Sequence, residues 1–143
     1  MTVPDPYHLE RFVDAQDAAG TYQQAMRELR AGFKRSHWMW FVFPQVAGLG
    51  QSPTSRRYAI ASLAEASAYL GHPILGPRLL SSVAAVLEVE GRSAEQILGS
   101  IDAQKLRSSM TLFLRADPDQ PVFQLVLDRY FDGVADGATD RLL

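Results

Sequence analysis

A chain of 143 residues with 47% hydrophobic and 21% charged content is long enough to bury a core and too short for two ordinary domains. Fourteen basic and sixteen acidic residues leave a net charge of −2, so no global positive field argues for a nucleic-acid partner. The absence of cysteine excludes disulfides, a thiolate nucleophile and cysteine-ligated metal.

In chain order, nearly every segment carries a helix start and a stop signal. Asp5-Pro6 reads as a cap followed by proline, with Leu9, Phe12 and Val13 as one apolar stripe and Gln16 set in its middle. Thr21 with Gln24 predicts a capping box for a helix carrying Tyr22, Met26, Leu29 and Phe33 and stopped at Gly32. The run Ser36-His37-Trp38-Met39-Trp40-Phe41-Val42-Phe43-Pro44-Gln45 holds both tryptophans. Periodicity alone allows a buried strand or a buried helix there; Ser36 as cap, Pro44 as stop and helical neighbours favour a short central helix over about 37–43. Ser52-Pro53 repeats the cap-plus-proline start, and Ser62 with Glu65 and Ser93 with Gln96 read as capping boxes. Leu79, Leu80, Val83, Val86 and Leu87 form the face of the helix between the last two. Asp102 caps a helix to about Leu114, and Val122 to Tyr130 forms the last strong one. Residues beyond about Asp136 read as a short helix or a loose tail. The expectation is an all-α single domain spanning 1–143, a bundle of about six or seven helices around a short apolar central one.

The longest apolar stretch, Trp38 to Phe43, is far short of the roughly 20 residues a bilayer requires, and the N-terminal residues lack the basic and apolar regions of a signal peptide. A cytoplasmic protein without a membrane partner is expected, as a monomer or small homo-oligomer.

Three constellations bear on chemistry. Gly48-Leu49-Gly50 leads into a helix at Ser52, where glycines permit close backbone approach and a helix start favours an anion. Lys34, Ser36, Trp40, Gln45, Ser52, Ser55, Arg56 and Ser109 are the candidate ligand-binding residues, for a phosphate- or nucleotide-like anion; the opposing reading is a surface turn with solvated arginines. His37, at the mouth of the densest apolar block, is the candidate acid or base, because burial would leave it neutral; a structural histidine is the competing account. On a helical wheel Asp102, Lys105 and Ser109 border the buried stripe of Leu106, Met110 and Phe113, so they either cross-link helices or line a pocket. Lys105 and Asp102 complete the candidate catalytic set with His37. No metal or cofactor is implied: His8 and His72 lack partners at ligand spacing, and the recurring Asp128, Asp132, Asp136 and Asp140 match no calcium loop and are expected to face water.

Three stretches carry a resemblance: Tyr7 to Gln16, Lys34-x-Ser36-His37-Trp38-Met39-Trp40-Phe41-x-Phe43-Pro44-Gln45, and Gly48-Leu49-Gly50-x-Ser52. With Glu65-Ala66-x-x-Tyr69-Leu70 and Asp102-x-x-Lys105-Leu106-x-Ser108-Ser109-Met110-Thr111-Leu112-Phe113, they resemble the bacterial family called domain of unknown function 1810. That resemblance implies an all-α fold with one central helix ringed by about five others, and it implies no activity. The function expected is binding of a small anionic metabolite beside the central helix. The alternative is a non-catalytic adaptor or oligomerising module whose polar signature residues satisfy one another.

Overall fold

The computed structural model describes residues 4–143. Their helices are α1 (Glu10–Asp17), α2 (Thr21–Ala31), α3 (Met39–Val42), α4 (Pro53–Arg57), α5 (Leu63–Gly71), α6 (Leu75–Glu88), α7 (Ala94–Leu98), α8 (Ser100–Ala116), α9 (Val122–Tyr130) and α10 (Gly137–Leu142). Six of these have eight or more residues, and α3, α4, α7 and α10 are short connecting pieces. The described residues form no strand, only one parallel bridge between Val46 and Ile60. None of their helices is singly long and apolar enough to cross a membrane.

The longest helix, α8, packs against α5, α7, α9 and α10. Its residues Ser108 to Leu114 are buried in an unbroken run, as expected of a helix covered on all sides. The tryptophan-rich segment lies in the same core, as the single turn α3. Trp38, Met39, Val42 and Phe43 are essentially inaccessible, while Trp40 and Phe41 stay half-buried. The segment therefore has an inner and an outer side, and only the outer side meets the glycine loop.

What forces that division is the carboxylate of Glu28 on α2. It accepts five hydrogen bonds: from Arg35 N (2.7 Å), Ser36 N (2.9 Å), Ser36 Oγ (2.6 Å), Trp38 Nε1 (3.0 Å) and Gln24 Nε2 (2.8 Å). Ser36 is thus a donor to Glu28 and not the cap of α3, whose capping position is Trp38. Burial opposes ionisation of this carboxyl, but the bonds from Ser36, Arg35, Trp38 and Gln24 outweigh it and hold the group at about 2.

Two further polar anchors close the fold. Arg11 donates to the carbonyls of Tyr7, His8, Arg57 and Ala59 and to Glu65 Oε2 (2.9 Å), tying the segment before α1 to the stretch from the end of α4 into α5. Gln16 is buried, as its place in the α1 stripe predicts; its amide donates to Phe41 O (2.8 Å) and Tyr69 Oη (3.2 Å) and accepts from Arg78 (3.2 Å).

Several helix starts differ from the expected ones. Asp5 caps at a distance, accepting from Leu9 N and Glu10 N, with α1 beginning at Glu10. Thr21 forms no capping box, because Gly20 takes the cap position and the Thr21 hydroxyl donates back to Ala18 O (2.6 Å). Asp102 is not a cap either: α8 starts at Ser100 after Gly99, leaving Asp102 in the first turn with its carboxylate free to pair. The segment after Asp136 is α10, a short helix docked on α8 through the bonds of Asp136 to Gln104, Ser108 and Thr111. Asp136 itself is buried and caps α10, which corrects the expectation that the aspartate series faces water.

Glu28 generates a stability prediction. A carboxyl held at about 2 in the fold, against an ordinary value near 4.5, contributes on the order of 3 kcal/mol, complete above pH 4.5 and lost as pH falls towards 2. Urea denaturation across pH 3–6 should show wild type losing stability with acid. Glu28→Gln should be less stable at pH 6, with a shallower slope below 5. Parallel curves for the two proteins would show that the bonded charge contributes nothing.

Candidate functional site

The site is built where the chain leaves the core after α3. Gln45 and Ile60 lock two segments together, with Ile60 N donating to Gln45 O and Ala47 N to Ile60 O, each at 2.8 Å. Between them lie the glycine loop and α4. Gly48 has φ +104° and faces the side chain of Leu142 on α10, leaving a β-carbon only 3.2 Å from Leu142 Cδ2. At Gly50 the constraint is steric: a β-carbon there would lie 2.5 Å from both Cβ and Oγ of Ser55. The loop backbone therefore rests directly on α4. Ser52 caps that helix by accepting from Ser55 N (3.1 Å), and its hydroxyl donates to Ser55 Oγ (2.8 Å).

Two hollows flank this loop. One, of about 140 Å³, lies among Trp40, Gln45, Gly48, Ser55, Arg56 and Tyr58. The other, a cleft of about 430 Å³, runs from Gln45 and Ser55 to Gln104, Lys105, Ser108 and Asp136, between α8 and α10. Gln45, Gly50 and Ser55 line both, so the two share a common wall.

The charges around the cleft are unequal. Asp102 receives Lys34 Nζ at 3.0 Å and Lys105 Nζ at 3.3 Å, two ammonium groups on one carboxylate. The side chains of Lys34 and Lys105 are 10% and 21% exposed, so neither charge is fully screened by water. Each ammonium also lies over an indole, Lys34 on Trp38 at 5.2 Å and Lys105 on Trp40 at 4.8 Å. Asp136, at the far side of the cleft, is already saturated. Its carboxylate accepts from Thr139 N and Oγ1, Ser108 Oγ and Gln104 Nε2. Burial disfavours its charge, but the bonds from Thr139 and Ser108 and the nearby Arg107 hold its pKa below the ordinary value.

Of the residues singled out in the sequence, Trp40, Gln45, Ser55 and Arg56 come together at the smaller hollow, and Gln45, Ser55 and Lys105 at the cleft. Lys34 and Asp102 stand behind Lys105 without lining either, Ser36 is committed to Glu28, and Ser52 to its own cap. The helix that Ser52 opens is only five residues long, so the expected anion-favouring dipole is not built. His37 is exposed and lines neither hollow, so the expected burial at the mouth of the apolar block is absent. Ser109 is fully buried, and its hydroxyl has no partner among the described residues. Among those residues no three His, Cys, Asp or Glu side chains gather as a metal site. Tyr58, Gln104, Ser108 and Asp136 are site-lining residues that the sequence reading did not place there. Of these, Ser108 carried a signal, lying one position from Ser109 on the same helix.

An all-α fold whose shared polar signature is divided between internal anchoring and a lined double hollow defines the class. The chain belongs to the family described as protein of unknown function (DUF1810), whose family model matches residues 6–143. It is 53% identical to the conserved hypothetical protein Rv1873 from Mycobacterium tuberculosis. The crystal structure of that protein superposes with a TM-score of 0.94 over 97% of this chain and 98% of that one. No curated protein matches the chain.

The close seat of Gly50 on Ser55 can be tested. Gly50→Ala should lower stability by about 1–3 kcal/mol, as overpacking does, and should shift the amide resonances of Ser52 to Arg56. An alanine variant of unchanged melting temperature and spectrum would mean that the loop is not held against α4.

Proposed function

We propose that this protein binds a small anionic, phosphate-bearing metabolite in the double hollow beside α3, with Lys105 as the principal contact to the anion. The observation that carries this is the unbalanced charge at the cleft: two lysines share the single carboxylate of Asp102. Lys34 suffices to neutralise Asp102, so Lys105 is free to accept a second partner without leaving a buried charge alone. The other carboxylate at the cleft, Asp136, is satisfied by four donors and does not compete. Arg56, whose guanidinium donates among the described residues only to Gln51 Oε1 (3.2 Å), supplies a second cation at the smaller hollow. Ser55 and the backbone around Gly50 supply neutral donors between the two.

The reading is one of binding, in a cytoplasmic setting, without nucleic-acid or membrane partners and as a monomer or small homo-oligomer. It assigns no bond making or breaking. His37, being exposed and outside both hollows, has no part in it. The adaptor alternative draws its support from Ser36, Lys34 and Asp102, whose polar atoms are paired within the chain.

Thermal-shift measurements with inorganic phosphate, pyrophosphate and ribose 5-phosphate test the proposal. A ligand at 100 times its Kd adds about 2.7 kcal/mol, several degrees of melting temperature for a chain of this size. At least one of these anions should raise the melting temperature, less so in high salt. Lys105→Ala should fold, because Asp102 keeps Lys34, yet lose at least tenfold in affinity. His37→Ala should bind like wild type. No response from any phosphate compound, or equal binding by the Lys105 variant, would favour the adaptor.

A further inference from the structure

Resting on that reading, we infer what the uncharged end of the ligand is: a planar heterocyclic ring with an amide-type edge, with Gln45 as the residue that selects it. The smaller hollow offers the space. Its volume of about 140 Å³ is close to the ~150 Å³ that takes one benzene ring.

Its walls set the shape. Trp40 and Tyr58 both line the hollow, and both rings are packed against neighbouring side chains. Lys105 sits over Trp40 at 4.8 Å, and Tyr58 packs edge-on to Phe41 at 5.3 Å and tilted against Phe12 at 5.8 Å. Aromatic walls held in place by packing favour a flat ligand, because stacking requires no rearrangement.

Gln45 sets the chemistry. Its backbone carbonyl is occupied by Ile60 N, but its side-chain amide has no hydrogen-bond partner among the described residues. A half-buried primary amide presents an acceptor and a donor side by side, the complement of a ring in which N–H adjoins C=O or an amino group adjoins a ring nitrogen. Two parallel hydrogen bonds to such an edge are the geometry by which glutamine reads a base. Because Gln45 and Ser55 line both hollows, a ring seated against Gln45 in the smaller one lies next to the cleft that Lys105 lines. One molecule with a flat head and a phosphate tail then engages both the Gln45 amide and Lys105.

Calorimetric titration of wild type and Gln45→Met with uridine 5′-monophosphate, adenosine 5′-monophosphate and ribose 5-phosphate tests this. Wild type should bind at least one of the two nucleotides roughly tenfold or more tightly than ribose 5-phosphate. Gln45→Met should reduce that nucleotide to the ribose 5-phosphate level while leaving ribose 5-phosphate itself unchanged. Ligand-observed NMR on wild type, which depends on no variant folding, should place the ring protons of the bound base against the Trp40 indole. Binding of both nucleotides no tighter than ribose 5-phosphate would overturn the ring assignment and leave the anion reading intact. No binding by any of the three would overturn both.

Discussion

The Glu28 carboxylate is the constraint on which the rest of the molecule is arranged. The chain must reverse between α2 and α3 while carrying two adjacent backbone N–H groups, a serine hydroxyl and an indole N–H out of water. Left unsatisfied, each such group costs ~1–3 kcal/mol, and one ionised carboxylate answers all of them together. The geometry that results is directional. Once Trp38 is tied to Glu28 with its ring in the core, the helical turn that follows sends Trp40 to the other side, towards the glycine loop. The apolar density of the segment alone would bury both indoles.

A second chain of interactions runs from that anchor to the site. Trp38 lies under Lys34, Lys34 is bonded to Asp102, Asp102 to Lys105, and Lys105 lies over Trp40. Five side chains from α8 and the segment before and within α3 thereby form one continuous path from the sealed core to the open cleft. Its members serve both structure and site: Lys34 neutralises Asp102, and by doing so leaves Lys105 with charge to spare. On the proposed reading the polar residues at the core edge serve scaffold and pocket together, the inner ones holding the outer ones in place.

The sequence made the helical architecture plain because start and stop signals are local. Ser52-Pro53, Ser93 with Gln96, and Gly32 act within one turn of chain, and each is found where it was read. The edge position of Asp102 and Lys105 on α8 was also legible, since a helical wheel fixes it. What could not be read was choice of partner. Glu28 looks like any surface glutamate among Arg27, Arg30 and Gln24, and only the turn at Arg35 to Trp38 makes it a buried acceptor. Asp136 repeats with Asp128, Asp132 and Asp140 in a pattern that suggests a wet face, yet the docking of α10 on α8 buries that one member. His37 is the converse case. It adjoins an apolar block in sequence, yet in the turn held by Glu28 it is exposed. The hollow itself depends on how closely Gly50 approaches Ser55, a distance that no local pattern encodes.

The division of labour between the two tryptophans is the claim from which the rest follows, and hydrogen exchange at their indole N–H groups measures it most directly. Trp38, bonded to Glu28 and inaccessible, should exchange only through global unfolding, with an opening free energy equal to that from denaturant titration. Trp40, half-buried at the hollow and without an indole hydrogen-bond partner among the described residues, should exchange orders of magnitude faster. Comparable protection of the two indoles, or a fast-exchanging Trp38, would contradict the account.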